Sequence, residues 1–146
     1  KHDLAQAAME TMEGEFTPLL ATIAPGGTAQ KRVSVFFDYL DAMTPRRVAH
    51  GCPVAKLMLD IPADDGFDAT RKTGQAIFTS LINWLADNFT QDGISDDTAQ
   101  KAARRIILRW QGAIVLAHAM NDRTILDDEI AELRQTAERT LTAGAA

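Results

Sequence analysis

Apolar residues recur at steps of three and four along almost the whole chain, and this spacing constrains the fold more than any other feature of the sequence. Such steps place side chains on one face of an α-helix, whereas a half-buried strand needs alternating apolar and polar residues. No alternation of that kind extends over the length of a strand. The pattern therefore predicts an all-α fold of about six helices.

Proline and glycine mark the expected boundaries of the first helix. This helix is predicted over residues 2–23, with its apolar residues along one side. Pro18 lies well inside this stretch and has no backbone N–H to donate, so we expect a kink or a break near residues 14–18. The segment Pro25-Gly26-Gly27 is typical of a turn and ends the predicted helix.

Two further proline-containing segments delimit the next two helices. The second helix is predicted over about residues 28–43, because Thr44-Pro45 disfavours helical backbone beyond that point. A third, short helix is predicted to begin at Gly51-Cys52-Pro53, since a proline is well tolerated in the first turn. Pro62 ends this helix.

Capping residues indicate the starts of the fourth and fifth helices. Asp64-Asp65-Gly66 is predicted to cap the fourth helix, which extends to about Phe89 and is the most aromatic segment. Ser95-Asp96-Asp97 predicts the start of a fifth helix over residues 96–120. Hydroxyl and carboxylate groups favour this position because they complement the unpaired N–H groups at a helix start.

The last two helices carry more apolar surface than one small domain is expected to cover. Over residues 106–120 nearly every position is apolar or small, so more than one face of the fifth helix is expected to be covered. The sixth helix, predicted from Asn121-Asp122 to about Leu141, repeats apolar residues at alternating steps of four and three, a spacing typical of paired helices. We therefore predict that the last two helices form a four-helix dimer interface with a second copy. The predicted interface residues are Ile106, Ala113, Ile114, Ala117, Leu126, Ile130, Leu133 and Ala137.

Composition and charge limit the class of protein. Apolar residues make up 46% and charged residues 24% of the 146 residues, which favours one ordered domain over residues 1–146. The net charge of −5 opposes binding to DNA by this chain alone. The longest apolar run, residues 113–117, is too short to cross a bilayer. A cytoplasmic location is expected, because the N-terminus has no apolar signal-peptide core and Cys52 is the single cysteine.

Three segments resemble motifs of the TetR family of bacterial transcriptional regulators. Lys1-His2-Asp3-Leu4 resembles the end of the Phe-x-Ser-Lys-x-x-Leu signature that joins the DNA-binding domain to the ligand-binding domain. Residues 51–57 are similar to the Gly-Cys-x-x-x-Asn-Leu segment of one subgroup, with Lys56 in place of the asparagine. Trp110-Gln111-Gly112-Ala113, with Ala117, resembles the penultimate helix of that subgroup. The three segments occur in the family's order.

The resemblance implies the effector-binding and dimerisation domain of a TetR-type regulator, with a repressor as the favoured type. It implies a symmetric homodimer and a pocket for a small, largely apolar effector, enclosed by the helices that precede the dimer interface. DNA binding would belong to an N-terminal helix-turn-helix domain that this sequence does not contain. Effector binding would then shift the equilibrium between conformations that differ in DNA affinity.

Aromatic and thioether side chains are the candidates for the wall of this pocket. They provide apolar surface, and tyrosine and tryptophan also carry hydrogen-bonding groups. We predict a cavity between the second, third, fourth and fifth helices, where Gln111 could orient a polar group of the ligand. Core packing is the alternative role for each residue. The predicted ligand-binding residues are Phe36, Tyr39, Met43, Met58, Trp84, Trp110 and Gln111.

The sequence contains no recognisable motif for catalysis, for a metal or for a cofactor. His2, His50 and His118 do not have the spacing of metal ligands, and neither a nucleophile elbow nor a phosphate-binding glycine loop is present. We therefore predict no enzyme activity and no cofactor. The competing hypothesis is a helical dimerisation or protein-interaction module without a small-molecule ligand, and a small helical enzyme is a third.

Overall fold

Six α-helices make up nearly all of the residues that the computed structural model describes, namely residues 1–23, 26–62 and 66–144. No strand occurs in these ranges, and the prediction of an all-α fold is confirmed. The boundaries predicted for the fifth helix also agree with the structure. The helices are α1 (His2–Thr22), α2 (Ala29–His50), α3 (Pro53–Asp60), α4 (Asp68–Gln91), α5 (Asp96–Met120) and α6 (Arg123–Gly144).

Two prolines lie inside helices and do not end them. Helix α1 is uninterrupted across Pro18, so the break expected near residues 14–18 is not present. Helix α2 continues past Pro45 to His50, so the end predicted at Met43 was wrong. A proline inside a helix removes one backbone hydrogen bond, and packing elsewhere along the helix can offset that cost.

Contacts with the rest of the fold hold the last turn of α2 in place. The Val48 side chain packs against the main hydrophobic core, and the Val48 carbonyl accepts a hydrogen bond from Nδ1 of His118 on α5 at 2.8 Å. Gly51 then ends the helix with a φ of 71°, a conformation that glycine adopts without strain. These contacts explain why the local preference of Thr44-Pro45 does not decide the end of α2.

The starts of α2 and α3 follow the expected chemistry, whereas Ser95, the predicted cap of α5, lies at the N-cap position without a side-chain capping hydrogen bond. At the start of α2, Thr28 Oγ1 accepts a hydrogen bond from the backbone N–H of Lys31 at 3.2 Å. Pro53 occupies the first turn of α3, as predicted. The predicted turn residue Pro25 and the predicted cap Asp64-Asp65 lie outside the described residues.

A tight turn joins α5 to α6. Asn121 ends α5 in the left-handed conformation, with a φ of 49°. Asp122 then accepts hydrogen bonds from the hydroxyl and the backbone N–H of Thr124, at 2.7 Å and 2.9 Å. Both bonds favour the ionised carboxylate and lower the pKa of Asp122. This turn makes α5 and α6 close neighbours, and the two helices pack against each other.

The inner face of α5 lies in the main hydrophobic core. Helix α5 packs against α4 and α6, and α2 packs against all three of these helices. Helix α1 packs mainly against α4, and the short α3 contacts α1 and α4. The core is rich in large side chains, including Phe36, Phe37, Phe89 and Trp110. Helices α2 and α4 therefore cover the two helices that were expected to form an interface.

The residues predicted for the dimer interface lie in this core, and that part of the prediction is corrected. Each of them is at most 7% exposed within a single chain. Apolar residues at steps of three and four indicate that a helix face is covered, but they do not reveal whether the covering helix belongs to the same chain. Here α2 and α4 provide the cover. The corrected residues are Ile106, Ala113, Ile114, Ala117, Leu126, Ile130, Leu133 and Ala137.

Truncation of Leu133 tests its assignment to the core. Leu133 is 1% exposed, so Leu133→Ala should lower the free energy of unfolding by about 2–5 kcal/mol, since it leaves a cavity in packed surroundings. The matched control is Leu59→Ala, because Leu59 is 83% exposed on α3 and its truncation should cost less than about 0.5 kcal/mol. Urea unfolding of the three proteins at equal concentration gives both values. Equal destabilisation by the two substitutions would contradict the assignment.

Candidate ligand cavity

A cavity of about 130 Å³ lies among α1, α2, α3, α4 and α5. A buried apolar cavity of roughly 150 Å³ is large enough to bind benzene, so this one has the size of a single ring. Its wall is mostly apolar, with a few polar groups. The lining residues are Met12, Glu15, Phe16, Leu19, Tyr39, Met43, Arg46, Arg47, Cys52, Pro53, Val54, Ile77, Phe78, Leu81, Trp110 and Gln111.

Helical spacing explains how α1 contributes to the wall. Met12, Phe16 and Leu19 follow one another at steps of four and three, so they share one face of α1. Because α1 continues through Pro18 without a break, this face stays aligned with the cavity. The apolar part of the wall therefore depends on a helix that begins at the second residue of the chain.

Helix α2 brings polar groups to the cavity. Tyr39, Met43, Arg46 and Arg47 are spaced by four, three and one residues and lie along one side of the helix. Both arginines follow Pro45, in the part of α2 that the sequence did not predict to be helical. The continuation of α2 beyond Pro45 thus places guanidinium groups beside an otherwise apolar space.

Two buried N–H donors at the cavity have no hydrogen-bond partner among the described residues. They are Nε1 of Trp110 and Nε of Arg47, and both side chains line the cavity. Trp110 is only 3% exposed. A buried donor without a partner costs about 1–3 kcal/mol, and more when the group is charged. Neither nitrogen has appreciable accessible surface, so a ligand in the cavity that supplies an acceptor removes this cost only if the Arg47 and Trp110 side chains shift on binding.

The charged groups at the cavity differ in exposure. Glu15 and Arg46 are exposed, whereas Arg47 is half-buried. No ion pair of Glu15, Arg46 or Arg47 is found within the described residues. Solvent screens the two exposed groups, which carry opposite charges, more than it screens the buried nitrogen of Arg47. The positive charge of Arg47 therefore has the largest effect on the electrostatic potential inside the cavity.

The structure brings together four of the seven predicted ligand-binding residues. Tyr39, Met43, Trp110 and Gln111 all line the cavity. Helix α1 was not predicted as part of the wall, because apolar residues at helical spacing indicate a buried face without showing whether it borders a cavity. Arg47 was not predicted either, since a charged residue after a predicted helix end gives no signal for a buried site.

The other three predicted residues lie outside the cavity and fill space elsewhere. The ring of Phe36 lies 5.5 Å from the ring of Trp84, and Phe36 is 1% exposed. Met58 packs against α4 at Gly74, where an added Cβ would lie 2.5 Å from the Met58 sulfur. Core packing, which was the alternative to ligand binding, is therefore the role of Phe36, Met58 and Trp84.

A second feature is an apolar surface on the side of α5 that faces away from the core. We call it the outer α5 face. Large apolar side chains here are 55–70% exposed, and a Cβ added at Gly112 would meet nothing within 4 Å. The exposed residues of α6 are mostly polar, so this surface belongs to α5. The outer α5 face consists of Leu108, Gly112, Val115, Leu116, Ala119 and Met120.

The described residues give no indication of a metal site or of a membrane-spanning helix. No group of three or more His, Cys, Asp or Glu residues there could hold a metal ion. None of the helices in those ranges is both long enough and apolar enough to span a membrane.

Comparison with known proteins identifies the family. No curated protein gave a significant match to the chain. The family model described as "Transcriptional regulator LmrA/YxaF-like, C-terminal domain" matches residues 30–132, which is more than two thirds of the 146 residues. The matched range contains α3, α4, α5 and nearly all of α2, and so most of the cavity wall. The chain therefore belongs to the family of LmrA/YxaF-like C-terminal domains of TetR-type transcriptional regulators.

Proposed function

We propose that this chain is the effector-binding and dimerisation domain of its regulator, and that the cavity among α1–α5 binds a small, largely apolar effector. The observation that carries the proposal is the cavity itself, with its apolar wall and its two unpaired donors. Small-molecule sites in proteins have this composition, with apolar walls and a few polar groups that fix the ligand's orientation. Residues 1–146 are assigned to this one domain.

Helix α1 is the element that would transmit the effect of ligand binding from the cavity to the rest of the regulator. It is 21 residues long, which corresponds to about 30 Å of helix, and it runs from the cavity wall to the start of the chain. A ligand that displaces Met12 or Phe16 would therefore move the whole helix. The effector would favour one of two positions of α1, which is a shift of population between conformations.

This arrangement is suited to a repressor that loses DNA affinity when the effector binds. The DNA-reading helices would belong to a helix-turn-helix domain of the whole regulator, and the acidic chain described here would make no specific DNA contacts of its own. The effector shifts the equilibrium only if it binds more tightly to the conformation with low DNA affinity. A regulator of bacterial DNA acts in the cytoplasm, where we place this chain.

The outer α5 face is proposed as the dimer interface, in place of the buried residues predicted from the sequence. Leu108, Gly112, Val115 and Ala119 follow one another at steps of four, three and four, so they form one stripe along α5. Gly112 and Ala119 are small, which would allow the same helix of a second copy to approach closely. A two-fold contact of the stripe with itself gives closed symmetry and buries the apolar groups.

Filling the cavity should abolish effector binding. A ring-sized apolar compound, tested from a panel of toluene, styrene and benzyl alcohol, should raise the melting temperature of the unmodified chain. At a hundred times its dissociation constant it adds about 2.7 kcal/mol. Met43→Trp should remove this response because the indole occupies the cavity, while the exposed Leu59→Trp should retain it. Thermal denaturation with and without compound is the measurement. The proposal is contradicted if no compound stabilises the unmodified chain, or if both variants respond equally.

A charge on the outer α5 face should dissociate the dimer. Leu108→Glu places like charges near the symmetry axis, whereas Leu59→Glu makes the same substitution at a residue of similar exposure on α3. Sedimentation at micromolar concentration should give twice 15.9 kDa for the unmodified chain and for Leu59→Glu, and 15.9 kDa for Leu108→Glu. A stable interface would bury at least about 1,200 Å² in total. An unmodified chain that sediments as a monomer would contradict the interface.

A further inference from the structure

We propose that the effector is a small monocarboxylate, whose carboxylate accepts hydrogen bonds from Arg47 and Trp110 and whose single-ring or short-chain apolar body fills the rest of the cavity. This inference rests on the proposed function, because it names the class of molecule that the same cavity binds.

The two unpaired groups are both donors, and this selects the chemistry of the ligand. Nε of Arg47 and Nε1 of Trp110 carry hydrogens and have no lone pair to offer, so a ligand donor cannot satisfy either of them. A ligand amine would in addition be repelled by the guanidinium. A carboxylate offers two oxygens with about four acceptor positions, and its hydrogen bonds to arginine are charge-assisted. It can therefore satisfy both donors once binding shifts the two side chains and uncovers these nitrogens, which have no appreciable accessible surface in this structure.

Charge at the cavity favours an anion as well as an acceptor. Among the lining residues, Arg46 and Arg47 carry positive charge and Glu15 carries negative charge. Glu15 is exposed, so water weakens its repulsion of a bound anion. Arg46 is also exposed and carries the opposite charge, so it reduces this repulsion further. The half-buried guanidinium of Arg47 is left as the charge that a ligand in the interior encounters.

The size of the cavity limits the ligand to one carboxylate and a small body. A volume of about 130 Å³ accommodates roughly one ring, so a molecule with several fused rings would extend beyond the cavity. Phe16, Met43, Ile77, Phe78 and Leu81 provide apolar wall for that body. A dicarboxylate would bring a second charge against these side chains, where it would lose its hydration without a partner.

The experiment compares acids with their uncharged isosteres. Benzoate, phenylacetate and hexanoate are titrated against benzamide, phenylacetamide and hexanamide, with toluene as an apolar reference. Trp84→Phe leaves Trp110 as the sole tryptophan, so the fluorescence of Trp110 reports binding inside the cavity. Thermal denaturation of the unmodified chain measures the same affinities independently. We expect at least one acid to bind tenfold or more tightly than its amide.

Two arginine variants show whether Arg47 is responsible for the preference for an acid over its amide. Arg47→Met should lower the affinity of that acid at least tenfold and change the affinity of its amide less than threefold. Arg104→Met removes the same charge from an exposed position of α5 outside the cavity and should leave both affinities unchanged. Trp110→Phe, measured by thermal denaturation, should also weaken the acid more than the amide, because it removes only the N–H donor and part of the ring.

The outcomes separate this inference from the proposed function. If toluene or the amides bind, and no acid binds tenfold more tightly than its amide, the cavity is a ligand site and the carboxylate inference is wrong. A similar loss of acid affinity in Arg47→Met and Arg104→Met also overturns it, because the preference would then reflect net charge. If no compound of any class binds, the proposed function fails together with the inference.

Discussion

Burial of the inner face of α5 is the constraint on which the rest of the structure depends. This face packs against α4, α6 and α2, and its apolar side chains are almost completely buried within one chain. Burial of that much apolar surface is the main favourable contribution to folding. It fixes the rotation of α5 about its own axis, and this rotation has two consequences. Trp110 is turned toward the cavity, and the outer α5 face is turned toward solvent.

The cavity and its unpaired donors have a cost that packing elsewhere must offset. Protein interiors are close-packed, so an apolar space the size of a ring is a loss of contacts, and the unpaired nitrogens of Arg47 and Trp110 add to that loss. A ligand that fills the space and accepts both hydrogen bonds would recover these losses. If the effector recovered more of this free energy in one position of α1 than in another, it would favour that position, and this difference would couple binding to the rest of the regulator.

Local sequence patterns predicted the helices and most of their boundaries, and they failed where packing overrides a local rule. The apolar spacing and the caps identified α5 correctly from Asp96 to Met120. Pro18 and Pro45 disfavour helix locally, but both lie inside helices that are held by contacts far away in sequence. The apolar seam of α6 around Leu133 was predicted to pack against a second copy, and it is buried within one chain. The seam does not encode which chain covers it, and this is why it was assigned to a partner.

The site was only partly predictable for a related reason. Aromatic residues at helical spacing either fill a core or line a cavity, and the pattern does not separate Trp84 in the first role from Trp110 in the second. Nor does it show that Arg47 lies within a helix beside the cavity, since its position depends on the turn of α2 that continues past Pro45. The small size of Gly112 was visible in the sequence, but its exposure required the structure.

The central claim is that the Trp110 N–H, which has no partner among the described residues, donates a hydrogen bond to the bound effector. The indole proton resonances test this claim most directly. The chain has two tryptophans, and single Trp→Phe variants assign the two indole signals in an ¹⁵N-correlated NMR spectrum. Addition of benzoate, phenylacetate or hexanoate should move the Trp110 signal downfield and slow its exchange with water, while the Trp84 signal stays in place. A Trp110 signal that stays unchanged at saturating concentrations of all three acids would contradict the account.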